Sequence, residues 1–245
     1  MPAPDTKETA ITRRVPPPVR AQPRIAVTLV LVVTALALSS SGTQAAVATA
    51  VTRGPASTRA VALTFDDGYD RRACASIART LRARHATGTF FINGRNLKRA
   101  PTTWRRILRG QRVGNHTQSH PDLTRRSDAA VGRQIARNEA VHERILGRPM
   151  LKVLRPPYGA HDARVRAIAG ALGYRRTVLW NVDTRDWQPT ATVDSVVARA
   201  IGAPPGSIIL MHCGPDVTPR ALPTIIRHYQ ARGIRVAGLD VVLEL

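Results

Sequence analysis

Aromatic side chains are scarce in this 245-residue chain, 4% in all, and lysine is nearly absent, with three against 34 arginines. No basic run alternates with aromatics, so the stacking platform of a single-strand nucleic-acid binder is missing. Acidic residues number 16 against 37 basic ones, for a formal net charge of +21. A surface of that sign favours anionic polymers, an acidic cell wall among them. Charge by itself selects no function, since an arginine-rich proteome produces the same excess.

Cysteine occurs only at Cys74 and Cys213, which limits the chain to a single bridge. Also absent is an apolar run of the ~20 residues that a membrane span needs. The run Ile25 to Leu38 stops at 14 residues. Arg13, Arg14, Arg20 and Arg24 precede it, and Ala46-Val47-Ala48 follows with the small-x-small form of a cleavage site. That order predicts a secretory signal over residues 1–48 and a secreted or cell-surface protein. An uncleaved N-terminal membrane anchor is the alternative. Export speaks against nucleic acid as a partner and permits a disulfide.

What remains is 43% hydrophobic over the whole chain, enough for a globular core. Residues 49–59 read as a spacer and 60–245 as the folded domain. Apolar, β-prone stretches at 60–65, 87–92, 112–115, 151–155, 174–180 and 206–212 are separated by helical patterns, and 235–243 closes the chain. The helical patterns fall at 71–84, 101–109, 127–146, 161–172, 192–202 and 218–232, with Pro101 opening one and Ser127 placed to cap another. Such alternation predicts a parallel sheet. About seven units are fewer than a full (β/α) barrel has, so a distorted barrel is expected, with an open doubly wound sheet as the alternative. In both folds the chemistry gathers at the carboxyl ends of the strands.

Chemically capable residues do fall there. Thr64-Phe65-Asp66-Asp67-Gly68 ends the first strand with two carboxylates, which alternation along a strand turns different ways. Asp-Asp-Gly also forms ordinary turns. His116 and His120 stand four apart after the third strand; with a strand-end Asp they offer two nitrogens and an oxygen to a metal. Arg155 opens Arg-Pro-Pro-Tyr-Gly, where a guanidinium fork can hold a carboxylate. Asp183-Thr184-Arg185-Asp186-Trp187 and Leu210-Met211-His212 follow the next two strands. Each motif alone has a bland reading as a polar loop; the ordered set does not.

That set resembles the polysaccharide deacetylases, carbohydrate esterases that share the NodB homology domain, over about Arg59 to Leu245. The resemblance implies one divalent metal, usually zinc, on Asp67, His116 and His120, polarising an acetyl carbonyl and lowering the pKa of water. It implies Asp66 as general base, with Arg155 pairing to it. His212 is the implied acid, raised in pKa by Asp186. The Tyr158 backbone N–H would receive the oxyanion, Asp183 would brace Arg155, and Trp187 and Leu210 would wall the acetyl pocket. The implied partner is an acetylated glycan, with peptidoglycan favoured and chitin-like oligosaccharides or acetylated xylan next. An amide hydrolase of non-sugar substrates and a noncatalytic wall-binding relative are the alternatives. Tyr69 departs from the family, many of whose members have Pro there. Cys213 directly follows the implied acid and Cys74 lies shortly after the Asp66-Asp67 loop, so the two cysteines share one face and are candidates for a bridge; two inert buried thiols are the alternative.

Overall fold

The computed structural model describes residues 47–245. The expected signal over 1–48 therefore lies almost wholly outside the described residues. Along the described chain run β1 (Thr49–Val51), β2 (Ala60–Asp67), α1 (Arg71–Ala83), β3 (Thr89–Ile92), α2 (Gly94–Lys98), α3 (Pro101–Ile107) and β4 (Arg112–Val113). There follow α4 (Asp128–Leu146), β5 (Val153–Leu154), α5 (Ala163–Ala171), β6 (Arg176–Val178), β7 (Val182–Asp183), α6 (Val193–Ile201), β8 (Ile208–His212), α7 (Val217–Ala231), β9 (Arg235–Val236) and α8 (Leu239–Val242).

Every pairing between these strands is parallel. One sheet has the order β4-β3-β2-β8-β7, with β9 added on β2, and a smaller one has β1-β6-β5. A bridge from Asn115 to Leu154 joins β4 to β5, and one from Arg53 to Ser207 brings the β1 end against β8. The result is a distorted (β/α) barrel, closed at two places by single bridges rather than by full ladders. All eight residues of β2 are buried, as a strand covered on both faces requires.

The helices follow the expected apolar stripes. Cys74, Ile77, Ala78 and Leu81 of α1 are buried, as are Trp104 and Ile107 of α3. Asp70 caps α1 by accepting a hydrogen bond from the Arg72 N–H at 2.7 Å. Ser127 does occupy the cap position of α4, but its hydroxyl makes no capping bond. Gly68 needs its small size: at φ 77° an added Cβ would come within 2.8 Å of the Trp104 ring and 2.9 Å of Ile92.

Two features correct the expectations. The segment 49–59 is not a spacer, because β1 pairs in register with β6 and Ala48 is fully buried with its N–H on Arg166 O. Its three residues are too short and mixed to show strand periodicity, and tertiary pairing alone makes them a strand. The same holds for β7, two residues long and partly buried.

Cys74 in α1 and Cys213 after β8 are joined as a disulfide, with Cα atoms 5.0 Å apart and a sequence separation of 139. The bond ties the first helix to the end of a central strand. Reduction is expected to cost about 2–4 kcal/mol. For a chain of this size that corresponds to a fall in melting temperature on the order of 10 °C. Paired melts with and without reductant measure it, and coincident melts would show that the link contributes nothing.

Candidate active site

Five motifs meet at the carboxyl end of the barrel. A cleft of about 460 Å³ there is lined by Asp66, Asp67, His116, His120, Tyr158 and His212, among others. Asp183, Trp187 and Leu210 also line it, together with Tyr69, Pro156 and Trp180. Of the residues singled out in the sequence only Arg155, Asp186 and the two cysteines lie behind its surface.

Asp66 and Asp67 are neighbours on β2 yet both face His116. Its Nε2 is 3.8 Å from Asp66 Oδ2 and 3.4 Å from Asp67 Oδ1. Plain strand alternation would send them to opposite sides, but Asp67 takes φ 73° and turns its carboxylate back into the cleft. Thr117, His120, Tyr158 and Arg185 also have positive φ, at 65°, 64°, 60° and 55°. Each belongs to a motif loop at this end of the barrel, so strain is concentrated where side chains must be aimed.

His116 is buried, and its Nδ1–H donates to Arg155 O at 2.7 Å, which fixes the tautomer and leaves Nε2 free toward the cleft. His120 Nε2 lies 3.1 Å from Asp67 Oδ1. Ligand atoms of Asp67, His116 and His120 all fall within 4.8 Å of one another. Asp67 Oδ1 is nonetheless a buried oxygen without a hydrogen-bond partner. Burial disfavours the Asp67 charge, but the two imidazoles outweigh it and hold its pKa below the usual carboxylate range. Burial likewise disfavours charge on His116, and the Asp66 and Asp67 carboxylates overcome it and raise its pKa. A field that draws a proton onto a buried imidazole also draws a metal cation. The residues therefore fit one divalent ion on two nitrogens and one oxygen.

Arg155 is fully buried at the end of β5. Its Nη1 donates to Asp66 Oδ1 at 2.9 Å and to Thr64 Oγ1 at 2.7 Å, and its Nη2 to Leu179 O at 3.0 Å. The guanidinium lies 4.3 Å from the centre of the Phe91 ring. Asp183 was expected to brace it and does not: the Asp183 carboxylate turns to its own loop and accepts from the Arg185 N–H at 2.8 Å. A short Asx-type turn satisfies that carboxylate locally, so backbone carbonyls and Thr64 hold Arg155 instead.

On β8, in register with Asp66, stands His212. Its Nδ1–H donates to Asp186 Oδ1 at 2.8 Å, while Asp186 Oδ2 accepts from the His212 N–H at 2.7 Å and from Thr218 Oγ1 at 2.5 Å. Burial works against charge on this imidazole. Asp186 prevails, helped by Asp66 and Asp67, and pushes the pKa up to about 9.

A second group of polar residues supports the site from behind and escaped the sequence reading. Asn138, buried in α4, donates through Nδ2 to Thr117 O at 2.7 Å and to Ile92 O at 3.2 Å. Ile92 pairs in register with Asp67. One amide thus joins the histidine loop to the strand beside the Asp67 carboxylate. His142, one turn further, is kept neutral by burial, with a pKa lowered to about 4, and its Nε2–H donates to Ile92 O at 2.8 Å. Asn96 Nδ2 reaches Asp67 O at 3.1 Å. The available signal was a polar residue inside the apolar stripe of α4.

Comparison with known proteins agrees with this geometry. A family model described as polysaccharide deacetylase matches residues 53–177. Over 192 residues the chain is 34% identical to a chitooligosaccharide deacetylase of Azorhizobium caulinodans, covering 72% of this chain and 91% of that protein. A solved peptidoglycan N-acetylglucosamine deacetylase superposes with a TM-score of 0.75 at 32% identity, over 80% of this chain and 92% of that one. A CE4 family pseudoenzyme from Bacillus anthracis superposes with a TM-score of 0.75 at 27% identity, over 80% of this chain and 69% of that one.

Two outcomes are expected from these contacts. Replacing Asp186 by Asn removes the main partner of the His212 cation, so its titration, followed by NMR, moves from about 9 toward the ordinary value. The cation then disappears as pH rises through neutrality instead of two units later; an unmoved titration would assign the shift elsewhere. Asn138→Ala is expected to weaken the affinity of the Asp67, His116 and His120 cluster for a divalent ion, with zinc as the probe, about 10- to 100-fold, as loss of a ligand-supporting contact does. Competition with a chromophoric chelator reads this, and a lower melting temperature with unchanged zinc affinity would reduce Asn138 to a packing role.

Proposed function

Because the chain belongs to the polysaccharide deacetylase family, hydrolases of the amide or ester of acetylated glycans, we propose that it removes N-acetyl groups from a cell-wall glycan outside the cytosol, with one zinc ion. The observation that carries this reading is an acid and a base on neighbouring strands beside a three-ligand cluster. Asp66 is wired to Arg155 and His212 to Asp186, while Asp67, His116 and His120 converge next to them.

A divalent ion on those three ligands supplies Lewis-acid polarisation of the acetyl carbonyl and acidification of water. The remaining steps belong to the chain. Arg155 orients Asp66, which takes the proton of the attacking water. The Tyr158 backbone N–H receives the charge that develops on the carbonyl oxygen. His212, cationic near neutral pH through Asp186, protonates the departing amine. Trp187 and Leu210 bound the space for the acetyl methyl, and the exposed rings of Tyr69, Tyr158 and Trp187 give a glycan flat apolar surfaces at the rim.

Zinc is favoured by the donor set, two imidazoles and one carboxylate with room for further oxygens. Peptidoglycan is the favoured substrate, in line with a relative that bears that name and with a basic surface suited to an anionic wall. The basic lead and apolar run before Ala48 support export. A binding protein on the same fold is the competing reading, as the pseudoenzyme relative illustrates. The two intact ion pairs weigh against it, since binding alone needs neither an oriented base nor a raised imidazole.

Acetate release by the full chain decides the matter, with peptidoglycan, N-acetylated chitooligosaccharides and acetylated xylan as substrates. Release from peptidoglycan that a chelator stops and zinc restores is expected. Asp66→Asn should lower kcat/KM roughly 10²- to 10⁴-fold while zinc stays bound. No acetate from any substrate, with zinc retained, would favour the binding protein.

A further inference from the structure

The positive charge of this protein is not spread evenly. Between Asp70 and Asp122 the sequence holds 12 basic residues and no acidic one, whereas residues 122–245 hold 18 basic against 11 acidic. Eleven of the 12 are exposed. Among the described residues only Arg112 of this set pairs with a carboxylate, that of Asp240. The others lie on α1, α2, α3 and the loops joining them.

These elements form one continuous face. α1 packs on α3 and α3 on α2. Arg82 Nη1 fastens α1 to α3 by donating to Ile107 O at 3.1 Å. Between the two helices runs a groove of about 280 Å³ lined by Ala75, Arg79, Arg82, Thr103, Arg106 and Ile107. Three guanidinium groups thus border a groove whose floor is small and apolar. The face also abuts the cleft: Tyr69 lines the cleft, Asp70 caps α1, and Arg71 begins it.

The chemistry of the face narrows the partner. Nearly all its cations are guanidinium groups, whose planar forks match phosphate oxygens two at a time. Its one tryptophan, Trp104, is fully buried, and the exposed aromatic rings of the described residues all lie in the cleft. The face therefore has no ring for unpaired bases to stack on. Nor does it expose a large apolar side chain to enter a lipid surface. We propose that the α1–α3 face is a docking surface for a phosphodiester polymer attached to the wall glycan, holding the enzyme on its insoluble substrate. The proposal rests on the wall-deacetylase reading for the identity of the polymer, but not for the charge pattern.

Binding of the full chain to wall glycan carrying polyglycerol phosphate, and to the same wall with its phosphodiesters removed, tests this. Arg72→Gln, Arg79→Gln and Arg106→Gln are combined in one variant; none of these side chains makes a hydrogen bond or lines the cleft. A control combines Arg133→Gln, Arg137→Gln and Arg199→Gln, an equal loss of charge on α4 and α6. Expected is at least tenfold weaker binding to the intact wall for the first variant, and less than a twofold change for the control. The logarithmic salt slope should fall by about 2 to 3, close to one per lost phosphate contact. The stripped wall should bind wild type at least tenfold less than the intact wall. Equal losses in both variants, or equal binding to both walls, would overturn the proposal. So would tighter binding of duplex DNA or anionic vesicles than of intact wall. Acetate release from a soluble N-acetylated chitooligosaccharide should stay unchanged in the first variant. Absence of that activity in every protein would instead count against the deacetylase reading and leave the binding result standing.

Discussion

A single buried ion pair, Arg155 with Asp66, is the contact on which the arrangement of this protein depends. Taking both charges out of water is costly, and their attraction offsets that cost only when the remaining donors are satisfied. They are: Thr64 Oγ1 and the carbonyls of Leu179 and, more distantly, Val178 accept from the same guanidinium. The Arg155 carbonyl in turn fixes His116. Arg155 therefore holds the Asp66 carboxylate with its side chain, orients His116 with its backbone carbonyl and joins β2 to the segment after β6. Removing either partner would leave an uncompensated buried charge, with a typical cost of about 3–5 kcal/mol.

Around that pair the structure keeps backbone conformations that side-chained residues rarely adopt. Asp67, Thr117 and His120 hold positive φ because neighbours leave no alternative. Asn115 Oδ1 accepts from the Thr117 N–H and Thr117 Oγ1 from the His120 N–H, while Asn138 holds the Thr117 carbonyl. The loop is thus braced on three sides by amide and hydroxyl groups.

How much of this was legible in the sequence follows from what each feature depends on. The central strands and long helices were visible because burial on both faces, or on one stripe, leaves a periodic trace over many residues. The five motifs were visible because each sits just past such a strand. β1 and β7 were not, since two or three residues have no period and pair only because the barrel surrounds them. Asp183 does not brace Arg155 because a loop carboxylate has a local option, its own turn, that outcompetes a distant guanidinium. The Asn138 and His142 brace was hidden for a related reason: a polar residue in an apolar stripe looks like an interruption until the facing carbonyls are known. The shared orientation of Asp66 and Asp67 could not be read at all, because it hangs on one dihedral angle.

That last feature sets a limit on how this site can change. Asp66 and Asp67, the proposed base and the proposed metal ligand, are consecutive residues, so a single peptide unit is the ruler between them, and no insertion or loop exchange can lengthen it. The exposed rings of Tyr69 and Trp187 at the rim carry no such covalent constraint. The fold thereby separates an exposed rim from a covalently pinned pair, and a different spacing between the two carboxylates would require a different strand.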